Sequence, residues 1–132
     1  RAIQMVRENA TQWNINPNKI GIMGSSAGGH LASTAGTHFQ KSYIDNPNNI
    51  SLRPDFMILN YPVISFSDSL THNGSRINLI GGTTSSPIIK DSKKYKELGM
   101  TEADIVNFSN ELQVTSKTPP TFITAPLTDK VV

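Results

Sequence analysis

Lys19-Ile20-Gly21-Ile22-Met23-Gly24-Ser25-Ser26-Ala27-Gly28-Gly29-His30 carries an apolar run into G-x-S-x-G and on toward a helix of small residues. Strand, sharp serine-bearing turn and helix in that order form the pattern of a nucleophile elbow, with Ser26 as its serine. Such a turn strains the serine backbone, so Gly24 and Gly28 are expected to lack side chains because a Cβ at either would collide across the turn. The turn also aims the first helical N–H groups, chiefly that of Ala27, where negative charge develops on an attacked carbonyl. Both features suit acyl transfer. A bare match to the motif is weak in a chain rich in Gly and Ser, but here the context fits on both sides.

Two rival readings of the glycines fail on their letters. A phosphate-binding loop needs Lys and then Ser or Thr after Gly24 and Gly29, where His30 and Leu31 stand. A dinucleotide fingerprint needs G-x-G-x-x-G, a spacing that Gly21, Gly24, Gly28 and Gly29 do not provide. The remaining alternative is a plain glycine-rich connection with Ser26 inert.

The surroundings of the motif read as one unit of a doubly wound α/β fold. Ala2, Ile3, Val6 and Trp13 fall near helical spacing among polar residues, and Asn16-Pro17-Asn18 ends that helix. Ile20 to Met23 is a short buried strand, and the helix after the elbow carries Ala27, Leu31, Ala32 and Ala35, small enough to pack closely on a sheet. A polar stretch from about 40 to 53 leads to a second strand over Asp55–Tyr61, ended by Pro62, and Thr121–Thr124 after Pro119-Pro120 is a third. The long interval between these strands predicts a cap-like helical insertion over about 65–110. Within it, 92–98 and 102–112 are helix candidates, the second with Thr101 as N-cap.

With 132 residues the chain could form one small domain, yet a complete sheet of this kind with its helices needs considerably more. It opens without an initiator Met inside a helical pattern and stops at Val131-Val132 in an apolar run, so an internal fragment of a larger catalytic domain is expected. The net charge is only +2 with mixed signs and no basic stripe, which argues against nucleic acid as a partner. No apolar run is long enough to span a bilayer. The absence of cysteine leaves the redox compartment open.

An activated serine needs a base, and the base an orienting carboxylate, which this fold supplies in the chain order Ser, acid, His. Asp129, 103 residues after Ser26 and just past the third strand, is the candidate acid; its alternative is a solvated loop aspartate. A His after Asp129 is absent. Of the three histidines present, His30, one turn into the elbow helix, is expected to pack against or hydrogen-bond the neighbouring loop, His38 to sit near that helix's C-terminus, and His72 to lie on the surface. No His–Cys spacing suggests a metal.

The run Ile20–Ala32, the strand around Asn60-Tyr61-Pro62-Val63, and Asn110–Val114 through Thr118-Pro119-Pro120-Thr121-Phe122 resemble the bacterial acetyl xylan and feruloyl esterase group of the α/β hydrolases. The resemblance spans nearly the whole chain. It implies a serine carboxylic-ester hydrolase acting on acylated plant polysaccharide, without metal or organic cofactor, and a secreted or periplasmic setting. It casts Ser26 as nucleophile, Ala27 N–H as oxyanion donor and Asp129 as triad acid. The chain departs from the group at Ala125-Pro126, where His-Gly is common, and at Thr128, where a second acid often stands. The upstream oxyanion loop and the downstream catalytic His of the group match nothing here, so the isolated piece is expected to turn over little and to associate through open sheet edges. Alternatives of other classes are a serine peptidase of the same fold and a non-catalytic binding protein that keeps it.

Overall fold

The computed structural model describes residues 1–67, 70–80 and 101–129. In chain order these hold α1 (Ala2–Glu8), β1 (Gly21–Ser25), α2 (Ala27–Thr37), β2 (Phe56–Asn60), α3 (Asn73–Ile80), α4 (Glu102–Phe108), a 3-10 turn (Asn110–Gln113) and β3 (Thr121–Thr124). The expected helix candidate at 92–98 lies outside the described residues.

The three strands are parallel in the order β1-β2-β3, so β2 is flanked on both sides. Ile22 is level with Met57, Ser25 with Asn60, and Asn60 with Thr124. All three strands therefore end at one edge, the edge at which open parallel sheets place their ligands. At the opposite edge Arg7 fastens the pieces together. Its guanidinium meets Asp55 at 2.8 Å, donates to the carbonyls of Pro17 at 3.0 Å and Arg53 at 2.7 Å, and also reaches the Ser51 carbonyl. Asp55 in turn accepts the N–H of Ile20 at 2.8 Å, so one carboxylate aligns the starts of β1 and β2.

One sheet face is covered by α2. Ala32, Met57 and Leu59 form the buried core there, with Ile22 and Ile64 packed against it. The sequence pattern singled out Ala27, Leu31, Ala32 and Ala35 for this contact; Ala32 is in the core, but Ala27 and Leu31 are exposed and Ala35 is only half-buried. Leu31 is 69 % exposed, and the buried line of the helix is Gly29, Ala32, Ser33 and Gly36. The reason is closeness: a Cβ at Gly36 would sit 2.2 Å from the Met57 sulfur, so the methionine occupies the room a side chain would take. On the other face Met23, Phe56 and Phe122 are exposed.

Between β2 and β3 the chain forms α3 and α4 and then returns to α2. Thr101 caps α4 as expected: its hydroxyl accepts from the Asp104 N–H at 3.2 Å while the Asp104 carboxylate accepts the Thr101 N–H at 2.8 Å. The Thr101 N–H and the Thr101 hydroxyl, which also donates to that carboxylate at 2.8 Å, hold the Asp104 carboxyl below its usual range. The α-helix is shorter than the 102–112 pattern suggested. It stops at Phe108 because the Ser109 hydroxyl turns back to the Ile105 carbonyl at 2.8 Å and also receives the N–H of Phe66 at 3.0 Å. A 3-10 turn completes the segment.

Candidate active site

Ser26 stands between the end of β1 and the start of α2 with φ 52° and ψ −123°. A non-glycine residue at positive φ is held there by its surroundings, commonly at a strain of about 1–3 kcal/mol. The bonds that hold it are visible: its N–H donates to Asn60 O at 3.1 Å, and its own carbonyl accepts from His30 N at 3.1 Å and Val63 N at 3.2 Å. Serine at a helix N-cap normally spends its hydroxyl on the helix. Here no such bond forms, which leaves Oγ available at the sheet edge. The N–H of Ala27, the first residue of α2, is by position one of those a helix cannot satisfy internally.

The two motif glycines differ. A Cβ on Gly24 would lie 2.1 Å from the Gly28 carbonyl oxygen and 2.8 Å from Gly29 N, so Gly24 is required by close approach of the helix backbone. A Cβ on Gly28 would meet nothing within 4 Å. The steric reason expected for Gly28 is therefore wrong: it is the Gly28 carbonyl, not its missing side chain, that faces Gly24. The glycine with the second steric role is Gly29, where a Cβ would come within 2.7 Å of the Pro62 Cβ. The run of consecutive glycines was the only hint of it in the sequence.

Asp129 lies in the loop after β3, half-buried, with its N–H turned to Pro126 O at 3.4 Å. The parallel order brings the Ser26 turn and the Asp129 loop to the same carboxyl edge, on either side of the Tyr61 turn that follows β2.

The histidines are all engaged elsewhere. His30 is 6 % exposed, edge-on to Phe66 at 4.8 Å, with Nε2 donating to Phe108 O at 2.9 Å. Burial pushes its pKa below the ordinary 6.5, against a smaller upward pull from the Phe108 carbonyl. His38 binds Asn107 O through Nε2 at 3.0 Å and the Thr37 hydroxyl through Nδ1 at 2.9 Å. His72 is turned to Ser75 at the start of α3, Nδ1 meeting Oγ at 2.9 Å. Sequence spacing did not reveal Asn110. Its buried amide reaches His30 O at 3.2 Å, Ser33 Oγ at 2.6 Å and Thr34 Oγ1 at 3.0 Å, fastening the returning segment to α2.

A cavity of about 410 Å³ opens between α1 and α2, lined among others by Ile3, Ile22, Leu31 and Tyr43. Neither Ser26 nor Asp129 lines it. No described helix is long and apolar enough to cross a membrane.

Known proteins place these features in context. Endo-1,4-beta-xylanase B of Butyrivibrio fibrisolvens is 37% identical over 134 residues, which is 100% of this chain and 18% of that protein. An acetylxylan esterase of Xylanibacter ruminicola is 44% identical over 81 residues, covering 61% of this chain and 15% of its own. Among solved structures, the acetyl ester-xyloside bifunctional hydrolase of Caldicellulosiruptor lactoaceticus superposes with a TM-score of 0.73 at 39% identity, over 92% of this chain and 40% of that one. The chain thus spans under a fifth of these curated relatives and two fifths of this solved one. The sequence pattern of the BD-FAE family matches residues 1–132 throughout, and with its parallel sheet and elbow the chain belongs to that family and to the α/β-hydrolase fold.

Proposed function

We infer that the protein carrying this chain is a serine carboxylic-ester hydrolase that removes acyl groups, acetyl above all, from xylan-type plant polysaccharide. The observation that carries the reading is Ser26 itself: a strained serine at a helix start whose hydroxyl is withheld from capping that helix. The names of the acetylxylan esterase and the acetyl ester-xyloside hydrolase support the substrate class.

In this reading Ser26 Oγ bonds to the ester carbonyl carbon while a base takes its proton. The Ala27 N–H donates to the developing oxyanion. Collapse breaks the bond to the sugar oxygen, which leaves with the proton, and water then cleaves the acyl-serine bond and regenerates Ser26. Asp129 is assigned the carboxylate that orients the base. With His30, His38 and His72 each bonded elsewhere, the base and a second oxyanion donor are assigned to parts of the protein outside these 132 residues.

The test is Ser26→Ala in the full polypeptide, assayed with 4-nitrophenyl acetate. A fall in kcat on the order of 10⁴-fold or more is expected, since removal of a triad nucleophile leaves only the contribution of binding and the oxyanion hole. Activity retained by that variant would sink the assignment. A peptide substrate cleaved faster than the ester would point instead to a peptidase of the same fold.

A further inference from the structure

The turn that leaves β2 is built around an unfavourable residue. Tyr61 has φ 36°, in the left-handed region that bulky side chains avoid. Pro62 follows it and restricts the backbone further. Glycine or asparagine would adopt this conformation with less strain. The neighbours over-determine the position. Tyr61 N–H donates to Thr124 O, Asn60 O accepts the Ser26 N–H, Val63 N–H donates to Ser26 O, and Pro62 fills the space left by the absent side chain of Gly29. Residues 60–63 therefore hold the Ser26 peptide from both sides, with Tyr61 between the two grips.

Burial does not account for a tyrosine here. The residue is 42 % exposed, although it sits at the carboxyl edge of the middle strand, between the turn bearing Ser26 and the loop bearing Asp129. A strained backbone that presents an exposed side chain at such an edge marks a ligand contact. A phenol ring offers an apolar face to sugar C–H groups and a polar tip to sugar hydroxyls. An acetyl group is too small to cover that ring, whereas the alcohol half of a sugar ester is not.

We propose that Tyr61 is a specificity-determining residue of the Ser26 site, its ring a platform for the sugar on the alcohol side of the ester. The proposal rests on the esterase reading above. It predicts that discrimination between alcohols, rather than between acyl groups, resides at this position.

The test compares Tyr61→Ala, Tyr61→Asn and Tyr61→Phe in the full polypeptide on acetylated xylo-oligosaccharide and on 4-nitrophenyl acetate. Ala and Asn are expected to lower kcat/KM for the oligosaccharide roughly tenfold more than for the nitrophenyl ester, mainly through KM. Phe, which keeps the ring, is expected to hold the ratio of the two substrates within about threefold of the wild type. Asn tolerates positive φ, so its thermal midpoint should equal or exceed that of the wild type, separating lost recognition from lost folding. Equal losses on both substrates would overturn the proposal. If the wild-type protein hydrolysed no ester, the esterase reading would fall by itself. The platform is then read by calorimetry with unsubstituted xylo-oligosaccharide, where weaker binding by Tyr61→Ala supports it and equal Kd values for wild type and variant overturn it.

Discussion

Helix α2 is held in two different ways along its length. At its first turn the grip is backbone on backbone: Gly24 lies against the Gly28 carbonyl, Gly29 against Pro62, and the Ser26 peptide is bonded by Asn60 and Val63. Along its body the grip is made by side chains. His30 reaches Phe108 O, while Ser33, Thr34 and Thr37 meet the Asn110 side chain. The first kind of contact admits no substitution that adds an atom, and it fixes the serine to within the stiffness of the main chain. The second kind is a hydrogen-bonded cluster that anchors the returning α4 segment, and its strength depends on every member being satisfied.

The sharpest way to break this comparison is at the glycines. Gly24→Ala would drive a methyl into the Gly28 carbonyl at 2.1 Å, and neither partner can move without opening β1 from α2. A loss of at least about 3 kcal/mol in urea unfolding is expected. Gly28→Ala is the paired control: with nothing within 4 Å of its Cβ, it should change stability by less than about 1 kcal/mol, toward greater stability, because alanine favours helix. Equal losses from the two would show that the first turn is not held by close backbone approach.

Next in size is the side-chain grip. Asn110→Ala leaves the hydroxyls of Ser33, Thr34 and Thr37 without their shared buried partner, though each keeps a bond to an α2 carbonyl. About 2 kcal/mol should be lost in the same unfolding measurement. A change near zero would mean that the cluster only decorates contacts made by the backbone.

The smallest effect is one of pH. Burial keeps His30 neutral in the folded protein below the pH at which the unfolded chain takes up a proton, with His38 adding to the effect and the Phe108 carbonyl and Glu111 opposing it. The unfolded state then binds more protons, so the contribution of His30 is complete above about pH 6.5 and declines as the pH falls below that value. His30→Gln keeps an N–H for the Phe108 carbonyl but cannot titrate. It should flatten the loss of stability between about pH 7.5 and pH 5.5, measured as the difference in urea midpoint from the wild type. An unchanged slope would place the acid sensitivity elsewhere.

The same comparison explains which features were legible in the residues. The elbow could be read because strand, turn and helix are contiguous, and local sterics alone require Gly24. The role of Gly28 was misjudged because a motif does not say where a Cβ would point. The sheet-facing line of α2 was legible at Ala32 but not at Leu31, which the apolar pattern included and the fold leaves exposed. Ser33 and Thr37 are buried against the returning segment, satisfied by an asparagine that lies 77 positions from Ser33. The break at Ser109 was hidden for a similar reason, since its hydroxyl serves Phe66, 43 positions away.

Sequence by itself determined the strand–serine–helix turn, the parallel α/β class and the candidate pair Ser26 and Asp129, because periodicity, turn chemistry and chain order are local or one-dimensional signals. Tertiary structure alone decided that Tyr61 is strained beside the serine, that Gly29 rather than Gly28 makes room for Pro62, and that His30 is tied to Phe108. Those facts depend on which distant segments come within a few ångströms of α2, a property of packing that no spacing along the chain encodes.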